Sequence, residues 1–290
     1  MTVSLNEFSK LINIATDVFS NQSSLLGPYD FDSVAFVGDT HGADHITKYA
    51  LKLFESGEVE GIVFLGDYVD RGPNGVENLE AILNALLSAK DKVIVIRGNH
   101  ESPLTNLYYG FYKEVLKKFN ETVYEDIKNM FSVMPYGAVV NNYLCVHGAI
   151  SINMTSLDEI KNLIRPDEGP NDPEAFQVLW NDPRDMIDGY IPSVRGDGIY
   201  YVGRDILEKF IEGNKLKGII RGHEAVDGFK LFLNGKVVTV FSSAYHGQSA
   251  GILEMFKEGI KMLYLDPTTL QKRGEIETKN LLEAYKSISL

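Results

Sequence analysis

The sequence predicts an α/β fold, and three observations carry that prediction. Short β-rich runs, Val34-Ala35-Phe36-Val37, Gly61-Ile62-Val63-Phe64-Leu65 and Val93-Ile94-Val95-Ile96, alternate with helical patterns of about 15 residues. Each run is continuously apolar, which suits a sheet covered on both faces, its strands parallel or mixed and joined by crossovers. Each is followed by a polar turn containing glycine. With 290 residues, 44% of them apolar, the chain is long enough for one large α/β domain with a sizeable core.

The elements follow in order. Ser4-Leu5-Asn6-Glu7 is a capping-box pattern, and Phe8, Leu11, Ile12, Ala15 and Phe19 fall at helical spacing, so residues 4–20 predict an amphipathic helix docked on the body. The three β-rich runs come next. Residues 101–132 predict helix with a break near Asn120. Tyr136–Val140 and Tyr143–Val146 flank Asn141-Asn142 as a hairpin. Between 151 and 200, prolines and glycines punctuate the chain so densely that loops with one or two short helices are expected, and long loops in a compact domain usually line a functional surface. A helix near Arg204–Glu212 precedes strands at 217–221, 229–233, 237–242, 250–256 and 260–265, with Asn234-Gly235 as a hairpin turn. Residues 275–287 predict a final helix. No repeat or linker divides the chain, so a single catalytic domain over 1–290 is expected, with the tail 267–290 docked on it.

Composition excludes several function classes. Forty acids against 28 bases give a formal charge of −12, which argues against general affinity for nucleic acid or anionic membrane. An anionic substrate therefore needs a local positive site. A single cysteine, Cys145, excludes an internal disulfide and any multi-cysteine metal site. Residues 1–30 lack a secretory pattern, and no apolar run reaches 18 residues, so a cytoplasmic protein is expected.

The chemistry lies in the loops after the first three runs: Gly38-Asp39-Thr40-His41-Gly42, Gly66-Asp67-Tyr68-Val69-Asp70-Arg71-Gly72 and Arg97-Gly98-Asn99-His100-Glu101. In open α/β sheets, ligands bind at the carboxyl ends of the strands, so the three loops can converge on one point. Asp39 and His41, two residues apart on an extended segment, can chelate one ion. His147 and His223 sit in similar settings, each beside a glycine just past an expected strand. The donors Asp39, His41, Asp67, Asn99, His147 and His223 mix oxygen and imidazole, which suits Mn, Fe, Zn or Co, and six exceed what one tetrahedral ion requires. Two ions sharing one carboxylate would use them all, in the clamp common to phosphate-ester hydrolysis. His45, on an expected helix, is read as having no part in this.

These motifs, in this order and spacing, resemble the phosphoprotein phosphatase (PPP) family of serine/threonine phosphatases, within the calcineurin-like metallophosphoesterases. The resemblance continues through Val146-His147-Gly148, Leu179-Trp180-Asn181-Asp182-Pro183, Arg195-Gly196, Arg221-Gly222-His223 and Phe241-Ser242-Ser243-Ala244-Tyr245. It implies a four-layer α/β/β/α sandwich with mixed sheets and two divalent ions, most readily Mn. Asp39, His41 and Asp67 would hold one ion, and Asp67, Asn99, His147 and His223 the other. His100 would be the general acid oriented by Asp70, while Arg71 and Arg195, with Asn99 and Tyr245, would bind the phosphoryl group. It implies hydrolysis of a phosphoprotein or phosphopeptide by direct attack of a metal-bridging hydroxide. Hydrolysis of diadenosine tetraphosphate or another small phosphoester at the same centre is the alternative. The sequence names no regulatory subunit. The compact chain looks like prokaryotic, archaeal-like members, and it departs from eukaryotic ones by placing His246 where they have cysteine, in a loop one residue shorter.

Other chemistries fit less well. Gly247-Gln248-Ser249-Ala250-Gly251 matches the nucleophile elbow of serine hydrolases, but a strand rather than a helix is expected after it. Five residues beyond Cys145 stands Ser151 and not arginine, so a cysteine-dependent phosphatase is excluded. No P-loop or dinucleotide fingerprint is present. Tyr108, Tyr109, Phe111 and Tyr112 are expected in the core, with the shaping of a substrate groove as the alternative, and Leu281, Leu282 and Tyr285 on a helix packed against the body, with a partner-binding helix as the alternative.

Overall fold

The computed structural model describes residues 3–288. Two six-stranded mixed sheets form its middle. One runs, in spatial order, Lys272–Thr278, Gly259–Leu265, Ala250–Phe256, Ser33–Val37, Gly61–Phe64 and Val93–Val95. The other runs Leu25–Tyr29, Gly137–Val140, Tyr143–Val146, Gly218–Arg221, Val237–Val240 and Phe229–Phe232. The first three predicted strands pair in parallel, and Ala250–Phe256 lies antiparallel beside Ser33–Val37. Tyr143–Val146 and Val237–Val240 both run parallel to Gly218–Arg221.

Alternation along each strand explains the layers, because successive side chains point to opposite faces. Val34 and Phe36 face the second sheet and join Ile94, Val140, Cys145, Val238 and Met262 in a core between the sheets. Ala35 and Val37 face the other way and pack with the helices Leu5–Ser20, Asp44–Glu55 and Gly75–Ser88. Leu144, Val146 and Ile219 turn from the second sheet towards the helices Pro173–Trp180 and Arg204–Gly213. The result is the expected α/β/β/α sandwich.

The N-terminal helix is built as its sequence indicates. Ser4 and Glu7 form the capping box, and Phe8, Leu11, Ile12, Ala15 and Phe19 are buried. Phe8 stacks on Phe119 with ring centroids 5.1 Å apart. Phe8→Ala is expected to destabilise the fold by about 3–5 kcal/mol, measured by denaturant unfolding, because it empties a fully buried aromatic position. No helix among the described residues is long and apolar enough to cross a membrane.

Several expectations need correction. Residues 275–278 belong to the strand Lys272–Thr278, and the last helix spans Leu281–Ile288, entered where the Asn280 side chain accepts from the Glu283 N–H. Lys-Arg-Gly-Glu-Ile-Glu-Thr offers few apolar side chains to a core. It is held by backbone pairing along the edge of the sheet. On the final helix Leu281 is buried and Leu282 exposed. Leu25–Tyr29 forms an unanticipated strand, tolerating Pro28 because it too lies at an edge. Residues 151–200 are loop-rich as expected, yet Asp182–Arg184, Tyr190–Pro192 and Tyr200–Gly203 pair into a small third sheet. The helical stretch 101–132 breaks twice, at Gly110 in the left-handed region and at Asn120. Phe111 is buried, but Tyr108 is exposed and Tyr109 half-exposed.

Candidate active site

Both sheets send strand ends to one place. Asp39, Asp67 and Asn99 follow the strands ending at Val37, Phe64 and Val95, while His147 and His223 follow those ending at Val146 and Arg221. Each loop is tied to the next. The backbone N–H groups of Thr40 and His41 donate to the Asp67 carbonyl at 3.1 and 2.9 Å. The buried Glu101 carboxylate accepts from the backbone N–H groups of Asp67, Tyr68 and Gly98, each at 2.8 Å. Gly98 must be glycine, since a Cβ there would collide with the backbone and side chain of Asp67. His41, Asp67, Asp70, Arg71 and His223 all hold positive φ, a costly conformation that tends to collect at functional sites.

The imidazoles divide into two kinds by what stands behind them. Nδ1 of His41 donates to the Val69 carbonyl at 2.9 Å, and Nδ1 of His147 to the Leu65 carbonyl at 2.8 Å. Nε2 of His223 donates to the Trp180 carbonyl at 3.1 Å. A carbonyl can only accept, so each of these rings carries its proton outward and turns a lone pair inward. Inside they meet other acceptors. Nε2 of His41 lies 3.6 Å from Asp67 and 3.9 Å from Asp39; Nε2 of His147 lies 3.2 Å from Asp67. The Asn99 amide sits 2.8 Å from His147 and 2.9 Å from His223. With its nitrogen inward, that amide donates to Asp67 and to both rings; with its oxygen inward, it adds another lone pair.

His100 differs. Its Nδ1 donates to the Asp70 carboxylate at 2.8 Å, and Asp70 is itself fixed by the Asn106 amide and the Phe111 N–H. Burial alone would lower the pKa of His100, but Asp67 and the bond to Asp70 outweigh it and the net shift is upward. Burial drives His41 down to about 3, and His223 is lowered well below the usual value by the same cause. At His147 burial is overcome by Asp67, which lifts the ring to about 9: its inward nitrogen shares a proton with Asp67, in the place a cation would take. Burial and then Asp67 raise Asp39 to about 6. Carboxylates and inward lone pairs packed this closely in a dry site call for positive charge among them. The donor chemistry of Asp39, His41, Asp67, Asn99, His147 and His223 thus fits a metal ion. His41, Asp67 and His100, and separately Asp67, His147 and His223, form groups compact enough to hold a metal ion.

A cavity of about 290 Å³ opens over this cluster. Arg71 and Arg195 line it, the former with its guanidinium 4.8 Å from the centre of the Tyr109 ring. Arg195 donates from Nε to Asp182 at 2.7 Å. Tyr245 is not among the lining residues; its hydroxyl points to the Gly42 carbonyl at 3.5 Å, and the neighbouring His246 faces the cavity instead. Trp180 and Tyr109 also line the cavity. The sequence offered Tyr109 at a substrate groove only as the alternative to the core, and Trp180 only as part of a matching motif. Glu101 was overlooked as the tie between two loops. His45 donates to or accepts from no ligand group, its Nε2 meeting the Pro267 carbonyl at 2.8 Å. At Ser249 the following residues enter the strand Ala250–Phe256, so no nucleophile elbow exists.

Comparison with known proteins agrees with this geometry. Residues 33–227 match the family model of the calcineurin-like phosphoesterases. The chain is 33% identical over 263 residues to a protein phosphatase 2A catalytic subunit of Dictyostelium discoideum, covering 87% of this chain and 84% of the relative. It is 38% identical over 232 residues to the serine/threonine-protein phosphatase 4 catalytic subunit of Saccharomyces cerevisiae, covering 77% and 74%. Among solved structures, a yeast protein serine/threonine phosphatase with similarity to human phosphatase PP5 superposes with a TM-score of 0.81 at 29% identity, over 88% of this chain and 84% of the other. A cold-active protein-tyrosine phosphatase of a Shewanella species shares the fold at 19% identity and a TM-score of 0.60, covering 86% and 84%. With the matched segment holding the converging loops and the identity extending well beyond it, the chain belongs to the calcineurin-like phosphoesterase family, among its serine/threonine protein phosphatases.

Proposed function

We propose that this protein, as one catalytic unit over residues 1–290, is a metal-dependent phosphatase that removes phosphate from serine and threonine residues of phosphoproteins. One observation carries the reading: three histidines backed by carbonyls present lone pairs to shared carboxylate and amide groups, while a fourth, backed by a carboxylate, presents a donor to the same cavity.

Asp39, His41 and Asp67 would hold one divalent cation and Asp67, Asn99, His147 and His223 a second, with Mn the favoured metal. Bound there, the cations would neutralise charge on the phosphoryl oxygens and make a water acidic enough to ionise near neutral pH. The chain does the rest. Arg71 and Arg195 take the remaining phosphoryl oxygens, and their guanidinium forks match that geometry, which is how a protein of net charge −12 attracts a dianion locally. Tyr109, stacked on Arg71, limits its freedom. His100 holds a proton on Nε2 and gives it to the departing seryl or threonyl oxygen, while Asp70 fixes the ring and stabilises its charge. Tyr245 packs against Gly72, next to His246, which lines the cavity.

The test is to strip the protein of metal, reload it with Mn, Fe, Zn or Co singly, and assay a phosphoserine peptide beside diadenosine tetraphosphate. The expected result is no turnover without metal and at least about a tenfold preference for the peptide with Mn. Preference for diadenosine tetraphosphate would move the assignment to small phosphoesters. Tight binding of the peptide with no turnover under any metal would make the protein a binding module.

A further inference from the structure

Asp182 ends a buried chain of ion pairs that reaches the cavity through Arg195. Its Oδ2 accepts from Nε of Arg195 at 2.7 Å, and its Oδ1 from Nη2 of Arg221 at 3.0 Å. Arg221 is fully buried and held on several sides: it also donates to the Gly148 carbonyl at 2.7 Å, the Asn181 carbonyl at 3.2 Å and Glu224 at 3.1 Å. Asp182 is therefore a rigid anchor. Arg195 is the opposite. It leaves an exposed turn, with Val194 on one side almost fully solvent-accessible and Gly196 on the other at a φ of +147°. Among the described residues, Nε is the only side-chain donor of Arg195 with a protein acceptor. Both terminal amino groups remain for a ligand.

We propose that Asp182 is the positioning residue of the phosphoryl site, holding Arg195 by Nε so that its two terminal amino groups face the cavity as a fixed bidentate clamp. An unanchored arginine would have to give up its rotameric freedom on each binding event, and anchoring it beforehand removes that cost from affinity. The proposal rests on the reading of Arg195 as a phosphoryl ligand, and the experiment separates the two.

Asp182→Asn, Arg195→Ala and the double variant are compared with the parent protein, all loaded with Mn, for kcat and KM on a phosphoserine peptide and for the inhibition constant of inorganic phosphate. Asp182→Asn is expected to raise KM and the phosphate inhibition constant together by about tenfold, with kcat changed by less than about threefold. In the Arg195→Ala background the same substitution should add less than about twofold, because the group it acts through is gone. A substitution acting only on the fold or on Arg221 would cost as much in that background as in the parent, and that result overturns the proposal. Should Arg195→Ala itself leave both constants unchanged, the assignment of Arg195 fails first. Arg195→Lys needs no change at the buried aspartate: a single ammonium cannot hold Asp182 and clamp two oxygens, so it should behave like Arg195→Ala, and recovery of parental phosphate inhibition would contradict the clamp.

Discussion

Replacing His100 with alanine is expected to lower kcat on a phosphoserine peptide by about 10²–10⁴-fold, the usual worth of a general acid, with KM little changed. The loss should be much smaller on an aryl phosphate such as 4-nitrophenyl phosphate, whose phenolate departs without a proton. That split follows from the place of His100. Its ring is set by Asp70 on one side and turns its other nitrogen to the cavity, 4.0 Å from Asp67. Steady-state kinetics of the purified variant on both substrates measure it. Equal losses on the two would take the proton-donor role from His100 and leave it a part in holding the cluster.

The second large effect is expected at Asp67. Its carboxylate lies within 3.2–4.0 Å of His147, His41 and His100, so it is the one acid common to both groups of metal donors. Although burial opposes its charge, His147 and His100 hold its pKa well below the usual carboxylate range. Asp67→Ala should abolish retention of metal through gel filtration and reduce turnover by on the order of 10³-fold or more even in excess Mn²⁺, since metal catalysis is worth several kcal/mol. The loop should keep its place, because Glu101 grips the backbone of Asp67 and Tyr68 and not the side chain. Elemental analysis and circular dichroism read the two effects separately. A variant that kept its metal and its activity would remove Asp67 from the centre of the site.

Much of this molecule was legible in the letters, for reasons that can be assigned. Val34–Val37, Gly61–Leu65 and Val93–Ile96 declared themselves as strands because both of their faces are buried, and continuous apolarity is the mark of that environment. The convergence of Asp39, Asp67, Asn99, His147 and His223 was legible because they sit in short loops immediately after such strands, where topology leaves little freedom. Legibility failed where burial is not the organising force. Lys272–Thr278 and Leu25–Tyr29 are edge strands held by backbone pairing on one side, and neither a run of charges nor a Gly-Pro pair announces that. The small sheet of 182–203 was hidden by its own prolines and glycines. Within the site, the partners behind each imidazole were unreadable: Val69, Leu65 and Trp180 contribute carbonyl oxygens, which every residue has. Tyr109 read first as core because it lies in an aromatic cluster, whereas in the fold its ring lies over Arg71, just before the left-handed turn at Gly110, and its carbonyl accepts from the Arg71 N–H.

The two sheets meet face to face through a close-packed apolar layer. At one end of that layer, donors from both halves close on common points: Asp39, Asp67 and Asn99 from one, His147 and His223 from the other. A cation gripped there would also rivet the halves together. By linkage, an ion that binds this arrangement and not the unravelled chain lends its affinity to the whole sandwich. The working centre would thus also be a fastener, and loosening the seam between the sheets would weaken the grip on metal.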